Sequence, residues 1–240
     1  MKPEELQGRV RRAVDEFHMI DENDSVAVGL SGGKDSIALL TALSGLSHYY
    51  PKHFTVRAVT VDLGLGNIDL QADGEYCEKL GVPYTVIKSD IGRIVFDERK
   101  ENNPCSLCAK MRKGALNRAM LDAGCNKIAY AHHKDDIVET FLLSLIYEGR
   151  LHVFSPVTYL DRSGLTVIRP LMYLSEQEII NFVNEYRLPV LKSPCPANGH
   201  TKREYAKNLL KKLETEAPGT KERMFTALLG SALFAPQLKP

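Results

Sequence analysis

Short runs of β-branched and apolar residues alternate with stretches of helical periodicity, and this alternation limits the fold more than any other feature. Residues 25–30 (SVAVGL), 54–62 (FTVRAVTVD), 83–87 and 127–131 read as buried strands. Residues 35–46, 70–80, 105–123 and 135–147 read as the helices that follow them. Parallel strands need a long crossover, usually a helix, so this spacing implies βαβ units. The expected fold class is α/β, a Rossmann-like open parallel sheet with helices on both faces. An amphipathic helix over 3–18 precedes it, and 157–170 read as a hairpin turning at 161–164. A helix over 175–187 opens with Ser175 and Glu178 spaced as a capping box. The rest is helical and basic and ends in a proline-containing tail. The expected division is an N-terminal helix over 1–24, a core over 25–174 and a small helical C-terminal appendage over 175–240.

The first strand runs into SGGKDS, residues 31–36, and then into a second apolar run. Gly32 and Gly33 permit a tight turn with exposed backbone N–H groups, and the helix behind them adds its positive end. Ser31 and Ser36 add hydroxyl donors, and Lys34 a mobile charge. Such a loop suits an anion, above all a phosphate; the plainer alternative is a Gly-Gly turn between strand and helix. It is not a Walker A loop, because Val28 stands five positions before Gly33 and Asp35 follows Lys34. No G-x-G-x-x-G dinucleotide fingerprint is present either.

A chain of 240 residues with 44% hydrophobic content can bury a full core. Its net charge of +1 excludes a broad single-sign field but not a local basic patch. No apolar run approaches the ~20 residues that span a bilayer. The N-terminus lacks a signal-peptide core, so the expected location is the cytoplasm and no membrane partner is expected.

Five cysteines in such a chain suggest reduced thiols or a metal site rather than a disulfide framework. Cys105 and Cys108 form a C-x-x-C pair at a helix start, and Cys195 sits between two prolines. The pair alone fits a redox couple, half of a zinc site, or part of an iron–sulfur site. Cys77 and Cys125 read as small buried hydrophobes.

His132, His133, Asp135 and Asp136 follow the fourth strand, where ligands bind in open α/β sheets. A capping role for one aspartate is the alternative. Lys110, Arg112, Lys113 and Arg118 form one basic segment, and Lys202, Arg203, Lys207, Lys211 and Lys212 another. Both flank the cysteines in sequence, which favours contacts to RNA phosphates over plain solvated faces. Arg9, Arg11 and Arg12 are a weaker third segment.

SGGKDS after the first strand resembles the PP-loop signature of the ATP pyrophosphatase superfamily. The resemblance implies the PP-loop ATPase fold, with ATP and Mg²⁺ as cofactors. The loop would hold the β,γ-pyrophosphate while a nucleophile attacks the α-phosphate. Catalytic roles then fall to Lys34, Asp35 and Asp136. ATP contacts fall to Ser31, Gly32, Gly33, Lys34, Asp35, Ser36, Asp62, Leu63 and His133. Asp35 helps to hold Mg²⁺, His133 and Asp136 orient phosphates or the metal, and Asp62 and Leu63 mark the adenine end.

CSLCAKMRKG, AHHKDD, IRPLMYLSEQEIINF, LPVLKSPCP and PGTKERMF, in this order, are similar to the tRNA 2-thiocytidine synthetase (TtcA) family over residues ~20–230. That likeness implies a [4Fe–4S] cluster on Cys105, Cys108 and Cys195. It implies an ATP-dependent tRNA sulfurtransferase that thiolates a pyrimidine, cytidine first and uridine second. Asn198 stands where many members have a further cysteine, and Ala131 where they have glycine. The expected partners are tRNA and a sulfur donor, sulfide or a cysteine desulfurase persulfide, with a homodimer left open. A lysidine-type tRNA ligase shares the loop but needs no cysteine trio. A non-catalytic, zinc-stabilised nucleotide-binding regulator is the rival of another class.

Overall fold

The computed structural model describes residues 1–66, 69–99, 104–191 and 202–238 and gathers the strands into one six-stranded sheet. The strands are β1 (Asp24–Gly29), β2 (Phe54–Asp62), β3 (Tyr84–Lys88), β4 (Lys127–Ala129), β5 (Val157–Leu160) and β6 (Leu165–Ile168). The α-helices are α1 (Pro3–Glu16), α2 (Lys34–Ser47), α3 (Gln71–Lys79), α4 (Pro104–Asp122), α5 (Lys134–Glu148), α6 (Glu176–Glu185), α7 (Lys202–Glu216) and α8 (Thr220–Leu229). The strand order is β3-β2-β1-β4-β6-β5. Every neighbouring pair is parallel except β5 with β6.

The α/β expectation holds, with one addition. The hairpin does not stand apart: β6 pairs with β4 in parallel and carries β5 as an antiparallel edge. The fourth strand also ends at Ala129 rather than at 131. A π-helical stretch over Arg93–Arg99 lies where no element was expected; only Val95 of it is buried, so its sequence carries little periodic signal.

The two faces of the sheet follow the period-2 rule. Val26 and Val28 of β1 and Ala129 of β4 face the larger core, shared with α1, α2, α5 and α6. Ala27 and Ile128 face the other side, where Leu116 and Met120 of α4 cover them. Helix α2 is buried nearly all round, with Ile37, Leu39, Leu40, Leu43 and Leu46 inaccessible to solvent. Each such side chain contributes roughly 1.5–3 kcal/mol by leaving water. Leu6, Val10 and Val14 of α1 and Ala206 and Leu210 of α7 enter the same core.

The strand order turns between β1 and β4. To one side the chain runs on to β2 and β3, to the other to β6 and β5. A crevice opens at the carboxyl ends of the strands at such a switch point. Gly29 ends β1 there, and a Cβ on it would lie 3.2 Å from Leu116 Cδ2, so glycine lets α4 close over the strand end. Among the described residues no helix is long and apolar enough to cross a membrane.

Candidate active site

The loop after β1 is shaped by its own hydroxyls. Ser36 Oγ donates to the Gly33 carbonyl at 2.9 Å and accepts from the Ser31 amide at 3.1 Å. The Ser31 and Ser36 hydroxyls are 3.1 Å apart. Gly32 has φ 72°, a left-handed conformation that favours glycine. A Cβ there would also come within 2.8 Å of Leu191, whose amide donates to the Gly32 carbonyl at 2.8 Å. Gly33 caps α2, so the positive end of that helix faces the loop. Lys34 Nζ lies 2.9 Å from Asp35 Oδ2 and 3.3 Å from Glu176 Oε1. Burial works against its ammonium, but these two carboxylates outweigh it and hold the pKa above the ordinary lysine value.

The histidine and aspartates at the start of α5 form a second wall. His133 is the N-cap: its Nδ1 accepts from the Asp136 amide at 3.4 Å, and Asp136 Oδ2 accepts from the His133 amide at 3.1 Å. The capping alternative therefore describes Asp136 correctly, yet its other oxygen accepts from Arg203 Nη1 at 2.7 Å. Asp135 is buried and accepts from Lys221 Nζ and from the Glu176 amide, both at 2.8 Å. Burial pushes its carboxyl up, but these donors prevail and keep the pKa below the usual carboxylate value. Glu139, one turn along α5, is 5% exposed. Burial first, then the charge of Asp136, raises its pKa to about 7 against the pull of Arg203 and Lys207.

Between these walls lies a cleft of about 470 Å³. Ser31, Gly33, Asp35, Ser36, Leu63 and Asp136, all anticipated from the sequence, line it. Lys34 and His133 stand behind that lining, within 3.8 Å of Asp35. Gly32 is in the loop, and Asp62 closes β2 with its carboxylate accepting from the Gly64 amide at 2.9 Å. Thr60, Val61, Leu65 and Leu70 make an apolar side at the β2 end. Arg112 and Leu116 of α4 and Tyr130 and His132 after β4 complete the lining.

Cys105 is exposed and Cys108 half-buried at the start of α4. On a helix, positions 105, 108, 112 and 116 fall on one stripe. Arg112 and Leu116 line the cleft, so the thiols lie on the stripe that leads into it. Cys195 lies outside the described residues, as does Asn198. Leu191, four positions before Cys195, is itself a cleft residue. Cys77 and Cys125 are buried as expected, and burial pushes the Cys77 thiol up to about 11.

Two residues of the second basic segment are paired within the site. Arg203 is tied to Asp136 and Glu139, and Lys207 lies 2.6 Å from Glu176. Lys110, Arg112 and Lys113 on α4 remain exposed. The sequence reading missed Glu139, Glu176, Lys221 and Arg169. Glu139 had a readable signal, a carboxylate inside the apolar run IVETFLLSL. Arg169 and Glu176 lie in IRPLMYLSEQEIINF and Lys221 in PGTKERMF, so the motifs marked them, while tertiary packing is what brings them to the site.

A family model for the PP-loop domain matches residues 4–213. A tRNA-cytidine(32) 2-sulfurtransferase of Pelobacter propionicus is 39% identical over 226 residues, covering 93% of this chain and 84% of that protein. One from Geobacter sulfurreducens is 38% identical over 226 residues, covering 93% and 88%. Among solved structures, the U34-tRNA thiolase NcsA of Methanococcus maripaludis, with its [4Fe-4S] cluster, superposes with a TM-score of 0.76. That pair is 24% identical, over 96% of this chain and 80% of the thiolase, which establishes a shared fold. With the phosphate-type loop at the sheet's switch point and relatives this similar along nearly the whole chain, the protein belongs to the PP-loop domain family and, within it, to the tRNA-cytidine(32) 2-sulfurtransferases.

Proposed function

We propose that this chain is an ATP- and Mg²⁺-dependent tRNA sulfurtransferase that replaces the C2 oxygen of a tRNA cytidine with sulfur. The observation that carries this reading is the α4 stripe: the Cys105–Cys108 pair leads, through Arg112, into the cleft that the SGGKDS loop also lines. One cleft thus serves both nucleotide and sulfur chemistry. A lysidine-type ligase has no use for such a cysteine pair.

The loop amides, Ser31, Ser36 and Lys34 receive the β,γ-phosphates, and Val61, Leu63 and Leu65 border the adenosine. The cytosine O2 attacks the α-phosphorus, the bond to the bridging oxygen breaks, and pyrophosphate leaves with the electron pair. Lys34 stabilises the charge that develops on this leaving group. Asp35 and Asp136 present carboxylate oxygens to the cleft, the donor type that Mg²⁺ takes together with phosphates. A sulfur nucleophile then adds to C2, and AMP departs with the former base oxygen. The leaving group is thereby a phosphate ester rather than an oxide.

Cys105, Cys108 and Cys195 would hold the [4Fe–4S] cluster. The described thiols fit it: they are a helical turn apart at the start of α4, Cys105 exposed and Cys108 half-buried. Ligation by three thiolates would leave one iron free to bind sulfide, which is the chemistry the group would supply. The sulfur donor is sulfide, or a desulfurase persulfide whose terminal sulfur adds to C2 and whose S–S bond a thiol reductant then cleaves, and the setting is the cytoplasm. The test is mass spectrometry of nucleosides from tRNA incubated with the holoprotein, ATP, Mg²⁺, sulfide and lysine. 2-Thiocytidine is expected. Pyrophosphate release with lysine incorporated and no sulfur gained would overturn the reading.

A further inference from the structure

The cleft contains a polar unit that the reaction above does not use. His132 follows β4, which lies next to β1, so its side chain joins the lining near the phosphate loop. Its ring stacks on Phe154 with centroids 4.2 Å apart and planes 13° apart. Its Nδ1 accepts from Arg169 Nε at 3.2 Å. Arg169 is 9% exposed and is itself fixed. Its Nη1 donates to the Ser155 carbonyl at 2.5 Å and to Thr158 Oγ1 at 3.2 Å. Its guanidinium carbon lies 5.2 Å from the Phe154 ring centre.

A guanidinium has no acceptor, so the Nδ1 that meets it carries no proton. The neutral ring then has its proton on Nε2. The tautomer is written into the fold by β5, β6 and the segment between β4 and α5. Burial keeps the ring neutral, and the cations around it act the same way. Burial, then Arg169, lowers its pKa to about 3, with Arg203 of α7 and the adjacent His133 acting the same way and Asp136 of α5 opposing.

We propose that the His132 Nε2–H is a fixed hydrogen-bond donor to the α-phosphate of the adenylated base, and that Arg169 is the positioning residue that sets its tautomer. This rests on the sulfurtransferase reading. The chemistry favours a neutral donor there. An imidazolium beside an incoming anionic sulfur would protonate it and remove the nucleophile. A neutral N–H stabilises the phosphate oxygen and keeps its proton through both steps.

The test pairs kinetics with a readout independent of turnover. His132→Gln can place an amide N–H near the Nε2 position, whereas His132→Asn places one near Nδ1. For the holoprotein, kcat for thiolation should fall about a hundredfold in His132→Ala and His132→Asn, with KM for ATP little changed, and should be substantially restored in His132→Gln. NMR of the histidine Cε1–H resonances should show His132, identified by its loss in His132→Gln, flat between pH 5 and 8. In Arg169→Gln, whose amide can donate or accept, the imidazole ¹⁵N shifts should no longer report a single Nε2–H tautomer, and kcat should fall. The Arg169→Gln, His132→Gln double variant should be no slower than Arg169→Gln alone. Melting temperatures separate these effects from unfolding. A wild-type His132 that titrates near pH 6.5 overturns the assignment, as do equal rates in all three His132 variants. Wild-type protein that thiolates no cytidine overturns the functional reading first, and this assignment with it.

Discussion

Asp73 on α3 is fully buried, and neither carboxylate oxygen has a hydrogen-bond partner. Burial raises its pKa from 3.8 to about 6. A raised folded-state pKa means that the unprotonated carboxylate opposes folding. The stability that the protonated form retains is present below pH 3.8 and is lost as pH rises through about 6. At ~1.36 kcal/mol per unit, the shift corresponds to at most about 3 kcal/mol at pH 8 and roughly half of that at pH 5. Asp73→Asn keeps the shape and removes the ionisation. The variant should therefore be more stable than the parent at pH 8, by up to about 3 kcal/mol, and the gain should shrink by about half at pH 5. The chain has no tryptophan, so urea unfolding is followed by circular dichroism at the two pH values. A gain that is the same at both would show that the carboxylate is not destabilised by its charge. A loss at pH 8 would show that it has a partner that asparagine cannot replace.

Lys34→Ala should lower the ATP- and tRNA-dependent release of pyrophosphate at least tenfold and leave the melting temperature close to that of the parent, because Lys34 lies outside the apolar core. Anaerobically prepared protein should contain about four irons per chain, lost in Cys105→Ser and Cys108→Ser but retained in Cys77→Ser and Cys125→Ser, as read by metal analysis. Lys110→Ala combined with Lys113→Ala should flatten the salt dependence of tRNA binding by about two units while leaving ATP affinity unchanged. A double variant with the parent's salt slope would make that face of α4 an ordinary solvated surface.

The phosphate side of the cleft was legible because it is local. Strand, two glycines, a lysine and a helix start are consecutive, and each contributes through backbone geometry or its own short side chain. The strand sequence was legible for the same reason, through apolar runs of the right length. The ion pairs were not. Arg203 and Lys207 read as a free basic run because a run shows charge and not its partner, and Asp136, Glu139 and Glu176 are far from them in sequence. Arg169 was hidden differently. It precedes Pro170 in a hairpin whose second strand enters the main sheet, and only that pairing brings it against His132.

The charges at the cleft also bear on how ATP enters. Asp35, Asp135, Asp136, Glu139 and Glu176 are answered by Lys34, Arg203, Lys207 and Lys221. Lys34, the cation of the phosphate loop, is already engaged by Asp35 and Glu176. If the phosphates take the place proposed above, they must draw Lys34 from two carboxylates and would lie beside Asp35 and Asp136. Without a counter-charge, the repulsion between those aspartates and the phosphates would oppose binding. Mg²⁺ held between them would reverse the sign of that interaction, since both sides would then share one cation. Glu176 is not stranded when Lys34 leaves it, because Lys207 stays 2.6 Å away and its carboxylate remains paired. Lys207 of α7 therefore pairs with Glu176 whether or not the loop lysine does.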